Sequence, residues 1–119
     1  MSARPSPAGP LQTFKAEFFK ALAHPLRIRI LELLRDGPRS VGSLQNATGV
    51  PASSISQQLA VLRGRGIVVS ERRGTTVNYR ARDEELYELL DVARRMFNAN
   101  LSDTIDLLRQ VEAETKLTR

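Results

Sequence analysis

The chain contains no cysteine. That excludes disulfides, thiolate metal sites and thiol redox sensing. It has one histidine, His24, so a histidine-rich metal site cannot form within one chain. No apolar run approaches the roughly 20 residues of a membrane-spanning helix. The first residues, MSARPSPAGP, lack an apolar segment like that of a signal peptide, and a cytoplasmic protein is expected. Gly64, Gly66 and Gly74 are not accompanied by a GxxxxGK pattern, so no phosphate loop is indicated. As a catalytic base, His24 would need a nucleophile and an orienting acid, and no recognisable pattern supplies either. It reads instead as a capping or packing residue at a helix junction. These absences argue against an enzyme. What remains is a 119-residue chain, 41% hydrophobic with a mean hydropathy of −0.28. Such a chain makes one soluble globular domain with a modest core.

Net charge is +5, and its distribution says more than its sum. Residues 37–82 carry Arg39, Arg63, Arg65, Arg72, Arg73, Arg80 and Arg82 against Glu71 alone. Residues 83–119 reverse the balance, with nine acidic groups against five basic ones. The middle of the chain is therefore where a polyanion would sit.

Residues 1–10 hold three prolines and no periodicity, which predicts a disordered tail before a domain over 11–119. Leu11, Phe14, Phe18 and Leu22 recur at helical spacing, predicting a first helix over Leu11–Ala23. A helical aromatic stripe of this kind is core or interface before it is a pocket. Pro25 ends that helix and opens the next, which turns Leu26, Ile30, Leu33 and Leu34 inward. Asp36-Gly37-Pro38 stops it. Ser40 is an N-cap for a short third helix holding Val41 and Leu44, and Gly49 closes that helix. A fourth helix starts near Pro51 and ends by Gly66. Ile67–Arg73 and Thr76–Ala81 then read as a hairpin about Gly74-Thr75. A last helix runs from Asp83 to about Glu114, with acids at its start where the helix dipole favours them. Its stripe of Leu86, Leu90, Ala93, Phe97, Leu101, Ile105 and Leu108 is too long for so small a domain to cover. A second copy of the chain is the simplest partner for it.

The third and fourth helices, joined through Gly49, have the layout of a helix-turn-helix. Ile55, Leu59 and Leu62 form the inward stripe of the fourth helix. At about 100° per residue, Ser53, Gln57 and Ala60 lie opposite, with Ser54 and Val61 on the flank. That outward side carries no charge before Arg63, unlike an ordinary solvated helix. Hydroxyls and amides can bond base edges and phosphates. Arg72 and Arg73 precede the hairpin tip, and Thr75 and Thr76 follow it. They can meet DNA, and they also blunt an exposed edge strand. The fold expected is mainly α with a small β-hairpin: a winged helix-turn-helix of five helices and a two-stranded wing.

The segment from Ala21 to Leu31, ALAHPLRIRIL, followed by SISQQLAVLRGRGIV and the hairpin, resembles the ArsR/SmtB family of bacterial repressors. The likeness covers about residues 12–110, with three motifs in the family's order and spacing. It implies a homodimer joined by the first and last helices that binds an imperfect palindrome near a promoter. It also implies a place on the bacterial nucleoid. Many members release DNA when an inducer binds. The family's recognition-helix pattern maps onto Ser53, Ser54, Ser56, Gln57, Gln58 and Leu59. Gln57 and Gln58 stand where many members carry a basic residue and then histidine. Pro51 stands where a capping serine is common, which predicts a shifted helix start. Metal-sensing members use a cysteine pair in or near the third helix, or histidine and carboxylate ligands on the last. Here VGSLQNATG has no cysteine, and the last helix offers Asp91, Asp103 and Asp106 without a histidine.

The resulting expectation is a homodimeric, sequence-specific DNA-binding transcriptional regulator, a repressor that does not respond to metals and holds no cofactor. Arg39, Ser53, Ser54, Ser56, Gln57, Gln58, Arg63, Arg72, Arg73, Thr75 and Thr76 are the expected DNA contacts. Phe14, Phe18, Leu90, Phe97, Leu101, Ile105 and Leu108 are the expected dimer contacts. Its partners are double-stranded DNA and a second copy, with the identity of any small-molecule inducer left open. The competing reading is a protein-interaction module that uses the winged helix only for assembly. The basic patch counts against it.

Overall fold

The computed structural model describes residues 9–117. Most of the tail expected over residues 1–10 lies outside the described residues, and Pro10 belongs to the first helix. In chain order the elements are α1 (Pro10–Leu22), α2 (Pro25–Leu34), β1 (Arg39–Ser40), α3 (Val41–Thr48), α4 (Ala52–Gly64), β2 (Val68–Arg73), β3 (Thr76–Ala81) and α5 (Glu85–Leu117). This is the winged helix-turn-helix expected from the sequence.

Local chemistry sets most of the boundaries. Pro10 and Pro25 stand in the first turns of their helices, where a missing N–H costs nothing. His24 caps α2: its Nδ1 accepts a hydrogen bond from the Leu26 N–H at 3.1 Å. Arg27 reaches back from α2 and donates to the Ala21 carbonyl at 2.9 Å. It thereby supplies a donor to one of the carbonyls left unpaired at the end of α1. Ser40 caps α3, its Oγ accepting from the Ser43 N–H at 3.1 Å. Pro51 precedes α4 without a side-chain cap, so the helix proper begins at Ala52.

The wing differs from the expected two strands. The strand order is β1-β3-β2, all antiparallel. β1 contributes only Arg39 and Ser40, paired with Tyr79 and Asn78. Two residues are too few to show an alternating pattern, and the pairing partner lies far along the chain. β2 and β3 pair from Val68↔Ala81 to Arg73↔Thr76, leaving Gly74 and Thr75 as the loop. Gly74 has a φ of 62°, and among the described residues no non-glycine residue has positive φ. A positive φ at the first loop position alone suits the hairpin turn that matches strand twist.

The chain divides into two compact units, Met1–Asp83 and Glu84–Arg119. In the first, α4 packs against α3, α2, α1 and β2. Ile30, Leu31, Leu44, Ile55, Leu59, Leu62 and Val68 are almost wholly buried. Each such side chain contributes about 1.5–3 kcal/mol. They fix α4 by one stripe and leave its other side to solvent.

The second unit is dominated by α5, 33 residues long. At about 1.5 Å per residue it extends roughly 50 Å. Glu85 and Glu88 stand in its first turn, where the helix dipole favours negative charge. Leu86 and Tyr87 are buried, whereas every described residue from Arg94 onward is exposed. No helix among the described residues is long and apolar enough to cross a membrane.

Candidate nucleic-acid interface

The turn between α3 and α4 is built from two short-range devices and one hydrogen bond from a preceding helix. Gly49 adopts φ 73°, and its N–H donates to the Gln45 carbonyl at 2.8 Å. That left-handed conformation is one glycine reaches without steric cost. Thr48 donates its hydroxyl to the Leu44 carbonyl at 2.7 Å and accepts from the Val50 N–H at 3.1 Å. Arg29 of α2 donates to the Ala47 carbonyl at 3.4 Å. The chain is thus turned sharply into α4.

The outward side of α4 presents Ser53, Ser56, Gln57 and Ala60, all exposed. Val61 is 41% exposed beside them. Helical spacing alone indicates Ala60 and Val61, but their apolar chemistry carries no polar signal. Ser54 is half-buried. Gln58 is half-buried, and its Oε1 is buried and without a hydrogen-bond partner. The reason is helical geometry, since Gln58 follows Ile55 by three residues and precedes Leu62 by four, and both are in the core. It flanks the inward stripe rather than the outward face.

Arg39 is engaged within the fold. Its Nε donates to the Leu33 carbonyl at 3.1 Å and a terminal nitrogen donates to Ser43 Oγ at 3.2 Å. Leu33 lies in the last turn of α2, where carbonyls lack helical donors. The guanidinium is therefore engaged in joining α2 to α3, and the residue is half-buried.

Among the other arginines the structure separates engaged from free. Arg65 pairs with Glu17 of α1 at 2.9 Å. Arg80 pairs with Glu71 across the wing at 3.4 Å. That pair offsets the only acid in residues 37–82. Arg63, Arg72 and Arg73 are exposed, with no ion pair among the described residues. Arg72 and Arg73 stand opposite Val77 and Thr76 at the end of the hairpin. Thr75 and Thr76 are exposed at the same tip. The unit thus shows an uncharged helix face of polar and small apolar groups and a cationic wing tip. The first suits base edges and the second suits phosphates.

Of the residues expected to join two copies, Phe14 and Phe97 are 72% and 69% exposed. Leu101, Ile105 and Leu108 are also exposed, while Phe18 and Leu90 are half-buried. Phe18 meets Phe19 edge to face at 5.6 Å between ring centroids. Among the described residues, no group of three or more His, Asp or Glu side chains is placed to hold a metal ion.

The family model for bacterial regulatory proteins of the arsR family matches residues 24–70. The uncharacterized HTH-type transcriptional regulator Rv0081 of Mycobacterium tuberculosis is 48% identical over 105 residues, covering 87% of this chain and 92% of that protein. Its crystal structure superposes with a TM-score of 0.76 over 82% of this chain and 99% of that one. The homodimeric winged helix-turn-helix DNA-binding domain Mb0332 of Mycobacterium bovis is similar with a TM-score of 0.71 and 31% identity, covering 82% of this chain and 91% of that one. A biofilm growth-associated repressor of Xylella fastidiosa is 34% identical over 84 residues, covering 71% of this chain and 74% of that protein.

Proposed function

This chain belongs to the arsR family of bacterial regulatory proteins, and from that premise we propose that it is a homodimeric repressor acting at an imperfect palindrome without a metal signal. DNA-binding transcriptional regulation, and not enzymatic chemistry, is what the family and its relatives establish. The observation that supports reading of DNA by this chain is the uncharged outward face of α4 in one unit with an arginine-tipped wing. The helix can enter a major groove while the wing holds the backbone alongside.

Dimerisation is supported by the apolar side chains that α1 and α5 each leave in solvent. A two-fold dimer asks for two-fold DNA, with half-sites about one helical turn, roughly 34 Å, apart. Repression is supported by analogy with the similar repressor of Xylella fastidiosa. Independence from metals is supported by the donor set, because soft and borderline metals favour thiolate and imidazole ligands that this chain lacks or nearly lacks. The base contacts assigned are Ser53, Ser56 and Gln57, with Arg63, Arg72, Arg73, Thr75 and Thr76 on the backbone.

The test is genome-wide binding followed by footprinting of the strongest site. Two protected half-sites related by two-fold symmetry are expected, with transcription of the adjacent gene rising on deletion of the regulator. A single asymmetric half-site bound at full affinity overturns the palindrome, and falling transcription overturns repression.

A further inference from the structure

The groups that α4 displays also restrict which bases it can choose. We propose that each half-site centres on two adjacent A·T pairs, one adenine held by the Gln57 amide and one thymine methyl packed against the Ala60 methyl. This rests on the reading of α4 as the helix in the major groove.

In that groove guanine is chosen by arginine or lysine, and cytosine by a carboxylate. Adenine is chosen by an amide, and thymine by an apolar group on its methyl. From Ala52 to Leu62, α4 contains no arginine, lysine, aspartate or glutamate. The next cation, Arg63, stands only in its last turn, and Arg65 beyond is held by Glu17 at 2.9 Å. The first three turns therefore carry no strong reader of a G·C pair. Gln57 and Ala60 are both exposed and three residues apart, so they are neighbours on one face. Their separation along the axis is about 4.5 Å, comparable with the roughly 3.4 Å step between stacked bases. The two groups thus address adjacent pairs.

Gly64 supports a close approach along the same line. It follows Ala60 by four residues and lies in helical backbone without positive φ. A Cβ added there would meet nothing within 4 Å. Neither packing nor backbone conformation requires glycine, although glycine weakens a helix. The face shortens from amide to methyl to bare backbone, as a surface pressed into a groove can.

The experiment begins with selection from a randomised duplex library. Enriched half-sites should carry the two A·T pairs. The selected duplex is then remade with the central thymine of one half-site replaced by 2′-deoxyuridine, which removes the methyl and leaves every hydrogen bond. Wild-type affinity should fall about fourfold, the value of one buried methyl-sized group. Ala60→Gly and Ala60→Ser should bind the thymine and uracil duplexes alike, while Val61→Thr keeps the difference. Circular dichroism melts check that each variant is folded. G·C pairs at the centre, a wild type indifferent to uracil, or discrimination that survives both Ala60 variants overturns the inference. Loss of discrimination in Val61→Thr does so too. In each of those cases specific DNA binding still stands. A library that yields no enriched site instead overturns the groove-reading role of α4, and this inference with it.

Discussion

At the scale of single residues, His24, Arg39 and Gln57 are all polar and do different work. His24 caps α2, and its Nδ1 has a hydrogen bond to lose. His24→Ala should lower stability by about 1 kcal/mol, the ordinary cost of losing a cap. A denaturant titration reads that change. Arg39 holds the end of α2 to α3, so Arg39→Ala should also act on the fold. Leaving a partly buried carbonyl without its donor costs about 1–3 kcal/mol. The salt dependence of DNA binding should stay at the wild-type slope, and a clear loss of slope would return Arg39 to the phosphate-binding set. Gln57 is exposed and faces outward, away from the core. Gln57→Ala should leave the melt unchanged while costing about 1–3 kcal/mol of affinity and relaxing preference at one position in each half-site. A uniform loss across an operator panel would show that its amide does not read a base.

At the scale of elements, the wing and α4 divide the labour of holding and reading. Arg72 and Arg73 are exposed at the tip, and neither is held in an ion pair among the described residues. Replacing both with alanine should weaken binding to all sequences alike. The log-log salt slope should flatten by about one unit for each phosphate that the variant no longer neutralises. A changed base preference in that double variant would reverse the assignment of the two elements. The inward side of α4 supplies the contrast. Leu59 is 1% exposed, so Leu59→Ala should destabilise the fold by about 2–5 kcal/mol through reduced apolar burial and a residual cavity.

At the scale of the whole molecule, the largest unsatisfied term is apolar surface. Phe97, Leu101, Ile105, Leu108 and Val111 remain exposed along α5, and Leu11 and Phe14 along α1. Covering one such side chain is worth about 1.5–3 kcal/mol. Several per subunit outweigh the entropy of ordering the helix. Phe97→Asp should therefore give monomers or aggregates, and an unchanged dimer in sedimentation would exclude this face. Zinc, nickel, cobalt, copper and arsenite, titrated into the protein–DNA complex, should leave affinity unaltered. Specific release at stoichiometric metal would point instead to carboxylates of α5 shared between copies.

The sequence by itself determined most of the features whose cause lies within a few residues. Pro25 and His24 set the junction of α1 and α2, and Gly49 closes α3. Thr76–Ala81 forms the expected strand, and Gly74 the expected turn. The stripe Ile55, Leu59 and Leu62 is buried as its spacing requires, so the outward placement of Ser53 and Gln57 was equally legible. Tertiary structure alone decided what depends on groups far apart in the chain. β1 exists because Arg39 and Ser40 meet Tyr79 and Asn78, some 40 positions away, and no local pattern marks so short a strand. Likewise Arg65 and Arg80 looked equivalent to Arg72 and Arg73 as charges. Their carboxylate partners, Glu17 and Glu71, become partners only when helices pack and strands register. Periodicity reports which way a side chain points, because the backbone repeats locally. Whether its polar atoms are already engaged depends on neighbours that folding brings together.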